Sequence, residues 1–293
     1  MTPDDDGPIQ DLTPLLIDVQ QNLESELSLR SLAQRYGYSP FHFHRFFSSA
    51  IGETPKRHVD RLRLERAAYK LAITDESVLD IALSVGFNAH ETFSRAFKRA
   101  FGHTPKDYRR HCKAAQEEWS KHNHGSRGSG CLLSDVRFVS LPPMTLLAVR
   151  YHGAYAKLPV PFSDDDTLWK PMLPALKPDD PPRQALLICY DDPTVTPDAL
   201  QRCDACIAST PGASTTDPAR RLGFAGGMYG GIEHVGPLAT IEQAYWICAD
   251  GIRWSGKYAF DVGPPLQIYR RIHIGGNPSA NVSEVYFPIR RAT

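Results

Sequence analysis

The sequence predicts two domains of different class: an all-α region built of two tandem helix-turn-helix units, then an α+β domain that is itself duplicated. Three observations carry this. Two early stretches repeat each other. A polar, glycine-rich segment follows them. Beyond it the pattern changes from helical spacing to short alternating runs broken by glycine and proline.

The repeat is visible residue by residue. Leu32-Ala33 leads to Gly37-Tyr38-Ser39-Pro40, Phe43-His44-Arg45 and Gly52-Glu53-Thr54-Pro55. Ile81-Ala82 leads to Gly86-Phe87-Asn88-Ala89, Phe93-Ser94-Arg95 and Gly102-His103-Thr104-Pro105. Each copy reads as two short helices joined by a glycine turn, with an arginine at the same place in the second helix. Ahead of them, residues 9–24 space Ile9, Leu12, Leu16, Val19 and Leu23 as one amphipathic helix.

Helix starts are marked by Ser39-Pro40, Thr54-Pro55 and Thr104-Pro105, a capping hydroxyl followed by a proline whose missing N–H costs nothing there. Asn88 with Glu91 predicts a capping box at the second recognition helix. Residues 55–73 contain no breaker and predict one helix, roughly 30 Å long. That is close to the turn of B-DNA, about 34 Å, that separates successive major grooves. The helix can therefore hold two recognition helices on one face of a duplex.

Charge supports that reading. The whole chain sums to zero, yet residues 29–113 carry 16 Lys+Arg against 8 Asp+Glu, while residues 131–293 carry 15 against 16. Only the repeat region has the surplus a phosphate surface needs. On the first recognition helix Phe43, Phe46 and Phe47 sit at core spacing, leaving Phe41, His44 and Arg45 outward. On the second, Phe93, Ala96 and Phe97 pack inward, leaving His90, Glu91, Ser94 and Arg95 outward. Arg45 and Arg95 are the candidates for base readout, because a guanidinium can bond guanine O6 and N7 together. Lys56, Arg57, Lys106 and Arg109 are assigned to the DNA backbone. Gly86 to Arg95 is one residue longer than Gly37 to Arg45. The two helices therefore predict unequal half-sites.

The segment 117–130 reads as a flexible linker between domains at 9–116 and 131–293. In the second domain, strands are predicted at 136–139, 146–151, 185–190, 205–209, 227–234, 266–274 and 283–289, with helices near 168–176 and 238–249. Two similar strand–glycine–helix passages, from Leu147 and from Tyr229, suggest paired halves with a crevice between them. The six cysteines read as reduced thiols, and Cys203-Asp-Ala-Cys206 lacks the further ligands of a metal site. No signal peptide or membrane-length apolar run is apparent, so a cytoplasmic location is expected.

Residues 9–113 resemble the AraC family of bacterial transcription regulators on the two motifs just quoted, extended by Thr92-Phe93-Ser94-Arg95-Ala96-Phe97-Lys98 and Lys106-Asp107-Tyr108. The resemblance implies promoter binding and activation through RNA polymerase. Residues 131–293 resemble the GyrI-like effector-binding domain, a duplicated α+β fold of the SHS2 type. The match rests on Val149-Arg150-Tyr151-His152-Gly153-Ala154-Tyr155, Glu233-His234-Val235-Gly236-Pro237 and Val282-Ser283-Glu284-Val285-Tyr286-Phe287-Pro288. It implies a sensor of small molecules, often lipophilic cations, with Glu284 as the central acid. Tyr155, Trp169, Tyr190, Trp246 and Tyr286 are the expected aromatic walls, since a cation over a ring face gains roughly 0.5–2 kcal/mol. The 156–184 stretch departs from the family in being proline-rich and acidic. No cofactor or metal is implied. A hydrolase using Glu284 as general base, or a protein-interaction module, remain the alternatives, although no nucleophile elbow or Walker loop is present.

Overall fold

The computed structural model describes residues 12–123, 130–176, 184–213, 215, 218–261 and 263–292. The chain divides into two compact units, Met1–Ala114 and Ala115–Thr293. Among the described residues no helix is long and apolar enough to cross a membrane.

The first unit is all-helical. Its elements are α1 (Thr13–Gln21), α2 (Leu29–Arg35), α3 (Pro40–Ile51), α4 (Pro55–Ile73), α5 (Val78–Ser84), α6 (His90–Phe101) and α7 (Pro105–Asn123). The predicted start signals act as caps. The Ser39 hydroxyl accepts the His42 N–H, Thr54 accepts Arg57, and Thr104 accepts Asp107. Gly52 and Gly102 close α3 and α6 in the left-handed conformation that glycine adopts without strain. The predicted capping box does not form. The N-cap of α6 is Ala89, which has no side chain to cap with, and Asn88 lies one residue too early. Helix α1 is shorter than predicted, and Ile9 lies outside the described residues.

Helix α4 matches its predicted bounds and belongs to both repeats. Val59 and Leu62 join Leu32, Phe43 and Phe47 in the first core. Ala67, Ala68 and Leu71 are buried further along, where α4 meets α5 and α6. Two arginines of α4 tie it to the first repeat's entry. Arg63 donates to the carbonyls of Leu23 and Ser25 at 2.8 and 2.9 Å, and Arg66 donates to that of Gln20 at 2.6 Å. Helix α7 runs on to Asn123, so the first part of the predicted 117–130 linker is helical; residues 124–129 lie outside the described ones.

The second unit is a curved antiparallel sheet with a helix on one face. Its strands are β1 (Leu132–Leu133), β2 (Arg137–Leu141), β3 (Met144–His152), β4 (Ala185–Cys189), β5 (Arg202–Ser209), β6 (Arg220–Phe224), β7 (Gly227–Val235), β8 (Tyr258–Phe260), β9 (Leu266–Arg271) and β10 (Val282–Arg291), with α8 (Ile241–Trp254) between β7 and β8. The order is β1-β7-β10-β9-β4-β5-β3-β6, with β2 also on β7 and β8 on the end of β10. The duplication is borne out in this order, since β4 and β9 pair at the centre with one half on each side. Strands β6 and β7 lie towards opposite ends of the order yet are joined by only Ala225 and Gly226, so the sheet curls and its two ends approach. Gly226 has φ +72°, and a Cβ there would meet the Leu141 carbonyl at 2.5 Å, so the turn requires glycine.

The helix predicted near 168–176 is a six-residue 3-10 segment, Lys170–Ala175. Pro171 and Pro174 remove the N–H groups an α-helix would need. Strands β1, β6 and β8 were not predicted.

Candidate nucleic-acid interface and ligand site

Helices α3 and α6 are the second helices of the two motifs. Each is anchored by two phenylalanines one turn apart, Phe43 with Phe47 and Phe93 with Phe97, all fully buried. That fixes which side chains are left outside. On α3, Phe41 and Arg45 are exposed and His44 is half-buried; Phe46, expected inside, is only half-buried. Phe41 is 73% exposed, and the Arg45 guanidinium stands 5.8 Å from the centre of its ring. On α6, His90, Glu91 and Arg95 are exposed, Ser94 is half-buried, and Ala96 is less deeply buried than expected. Arg95 makes only a long 3.4 Å contact to the Glu91 carbonyl. Thr92, Lys98 and Arg99 are exposed on the same helix and were missed. Their spacing of three and four from Arg95 was the available signal.

The backbone-positioning group divides. Lys56, Arg57 and Lys106 are exposed at the starts of α4 and α7, with Lys56 also reaching Asp60 at 2.9 Å. Arg109 is half-buried and engaged within the protein. It donates to the carbonyls of Leu71 and Glu76, at 3.4 and 2.5 Å, and so fastens α7 to the end of α4.

Beneath the first repeat lies a half-buried ionic network. Glu53 meets His58 at 2.8 Å and Arg61 at 2.7 Å, and Arg61 also reaches Glu65. Burial works to raise the Glu53 carboxyl, but hydrogen bonds from His58 and Arg61 overcome it and hold it at about 2. The second repeat has His103 in the place of Glu53 and lacks this network.

In the sheet domain, alternate residues of a strand face opposite ways, and this sorts the predicted ligand residues. Trp169 is fully buried with Leu147, Leu187 and Cys203, and its indole N–H donates to the Cys206 carbonyl at 3.2 Å. Tyr155 packs against the same cluster and donates to the Arg202 carbonyl at 2.5 Å. Trp246 sits on α8, bonded to Glu242 of the same helix at 3.2 Å. These three are not walls of a site at Glu284; Trp169 and Tyr155 belong to the core on the other face. Tyr190 and Tyr286 do share Glu284's face, with Leu186, Ile188, Leu266 and Ile268.

Glu284 itself is 4% exposed and is no bare counter-ion. Arg137 donates to one carboxylate oxygen; Arg270 and the Tyr286 hydroxyl donate to the other, at 2.6 and 3.0 Å. Both arginines were missed, because cross-strand partners cannot be read from a single strand. A second buried carboxylate, Asp204, lies on the same face. Arg150 bonds it through Nε at 2.7 Å and Nη2 at 3.2 Å, with Arg220 at 2.5 Å and the Tyr190 hydroxyl at 2.7 Å. Burial pushes Asp204 up, but the charges of Arg150 and Arg220 and the hydrogen bonds from Arg150 and Tyr190 together outweigh it and leave the carboxyl below its ordinary range. Cys203 and Cys206 point to opposite faces of β5, one with Leu147 and the other with Leu146. They cannot bind one ion together.

Comparison with known proteins agrees with both architectures. The helix-turn-helix domain family matches residues 32–111. The GyrI-like small molecule binding domain family matches residues 134–290. The right origin-binding protein of Escherichia coli K12 is 38% identical over 117 residues, which span 40% of this chain and 38% of that protein. The chain thus spans well under half the length of that relative. The regulatory protein SoxS of Salmonella typhimurium is 33% identical over 34% of this chain and 94% of its own length. A solved AraC-type regulator from Chromobacterium violaceum is 31% identical over 34% of this chain and 90% of its own, with a TM-score of 0.33.

Proposed function

The chain belongs to the AraC family of helix-turn-helix regulators through its first domain and to the GyrI-like small molecule binding family through its second, and we propose that it is a DNA-binding transcription regulator controlled by a small effector. The observation that carries this is the pair of recognition helices mounted on one shared helix. Helix α4 contributes to both cores, so α3 and α6 are held as one body and present Arg45 and Arg95 outward. One chain then does what a dimer does elsewhere, placing two helices in successive major grooves. RNA polymerase is the partner through which activation would act, and the cytoplasm is where the DNA lies.

The sheet face carrying Glu284 is the proposed effector site. The reading assigns it no reaction. The reason is that Glu284 is 4% exposed and is held by Arg137, Arg270 and Tyr286, which suits a charge that positions its neighbours better than one that takes up a proton.

Selection of duplexes from a random library by the purified full chain tests the DNA reading. Enrichment of a defined site, bound at least about 10³-fold more tightly than random duplex at physiological salt, is expected. Recovery of unselected sequence would overturn it.

A further inference from the structure

The two halves of the sheet domain correspond residue by residue in register. In the first, Asp204 on β5 stands opposite Arg150 on β3 and Ile188 on β4, and Arg220 on β6 stands opposite Ala148. In the second, Glu284 on β10 stands opposite Glu233 on β7 and Ile268 on β9, and Arg137 on β2 stands opposite Gly231. Asp204 is therefore the counterpart of Glu284, and Arg220 that of Arg137. Two positions have changed character: Arg150 corresponds to Glu233, and Tyr190 corresponds to Arg270.

Those changes separate a closed cluster from an open one. Around Asp204 the cluster is enclosed, although Arg220, 23% exposed, spends only Nη2 on the carboxylate. The carboxylate is fully buried, and Arg150, 4% exposed, grips it with two nitrogens. Around Glu284 the arginines stand at the surface, with Arg137 43% and Arg270 41% exposed. Among the described residues, Arg137 spends only Nη2 on the protein and Arg270 only Nε. A guanidinium has five N–H donors in a planar fork, so most of those on each arginine remain for an incoming acceptor. The Glu284 carboxylate, by contrast, is 4% exposed and already accepts three hydrogen bonds. Glu233 also faces this ground from β7, half-exposed, and limits how much negative charge can settle there. Ile268, directly across from Glu284, begins an apolar strip with Leu266 and Leu186.

We propose that Arg137 and Arg270 form an oxyanion-binding subsite, and that the effector is an amphipathic molecule carrying one carboxylate or similar head group. The proposal rests on the effector-binding reading above and fixes the sign of the ligand's charge, opposite to the cation implied by the family resemblance. The head docks on the outer N–H groups of both guanidiniums, while Glu284 holds the two forks in place from behind. Glu233 excludes polyanions.

Calorimetry on the full chain with 4-phenylbutyrate and 4-phenylbutylammonium, which share a carbon skeleton and differ in charge, tests it. The carboxylate is expected to bind and the ammonium not. Arg270→Tyr, which installs the first half's residue, is expected to weaken carboxylate binding about tenfold or more, the size of a lost charge-assisted bond. Should that variant not fold, Arg270→Lys keeps the charge without the fork and is expected to lose most of the same affinity. Preferential binding of the ammonium, or carboxylate binding indifferent to Arg270, overturns the anion subsite and leaves effector binding standing. Binding of neither compound in the millimolar range removes both.

Discussion

The two helix-turn-helix repeats share a plan and differ in how they are made stable and in what they offer DNA. The first is self-sufficient. Ser39 caps its recognition helix, and Glu53, His58 and Arg61 lock its exit turn. Its recognition helix exposes a single arginine, Arg45, beside the Phe41 ring. The second is uncapped at Ala89, lacks the ionic lock, and exposes Arg95, Lys98 and Arg99 on one helix. It is also keyed to its neighbour. Gly86 turns at φ +90°, and a Cβ there would fall 2.4 Å from the Leu23 carbonyl and 2.7 Å from the Arg63 guanidinium. Gly37, at φ +76°, has open space around it. A repeated sequence motif thus yields one repeat that anchors and one that carries charge, and the proposed bipartite reader is asymmetric.

The largest expected effect separates the two turn glycines. Gly37→Ala bears only the left-handed backbone cost, about 1–2 kcal/mol. Gly86→Ala adds a clash with backbone and with a hydrogen-bonded arginine, and is expected to cost about 3 kcal/mol or more. Urea melts measure both, and equal costs would show that the repeats are not interlocked at this turn.

Next comes charge. Lys98→Ala with Arg99→Ala is expected to weaken binding to every sequence and to lower the slope of log affinity against log salt by roughly 2. An unchanged slope would remove both residues from the interface.

Acid should expose the first repeat. Glu53 titrates at about 2 when folded against an ordinary 4.5. A depressed carboxylate stabilises the folded state above its unfolded value, and that contribution is lost as pH falls from about 4.5 towards 2. Glu53→Gln should flatten this part of the stability–pH curve, and a curve of unchanged steepness would contradict the assignment.

The smallest effect concerns capping. Ser39→Ala should cost about 1 kcal/mol, while Ala89→Ser, at an extended residue already suited to an N-cap, should gain about 0.5–1 kcal/mol.

The helical domain is legible in sequence because its signals are local. Hydroxyl–proline pairs mark the starts of α3, α4 and α7, and α4 follows from the absence of any breaker between Pro55 and Ile73. One local signal that misleads is Asn88, where a turn one residue longer moves the cap to Ala89. The sheet domain is less legible because its chemistry is cross-strand. That Trp169 faces the core while Tyr286 faces Glu284 depends on strand parity and on which layer covers which face. The pairing of Arg137 and Arg270 with Glu284 needs β2, β9 and β10 in register. Arg109 bonds the Leu71 and Glu76 carbonyls, and a basic helix residue looks the same in sequence whether it meets a phosphate or a carbonyl.

Site selection with the full chain, repeated for Arg45→Ala and Arg95→Ala, tests the asymmetric reader most directly. The expected wild-type site has two non-identical blocks about one helical turn apart. Each variant should relax a different block, at a cost of about 1–3 kcal/mol against its preferred base. A palindromic site, or two variants that lose affinity equally on all sequences, would contradict it.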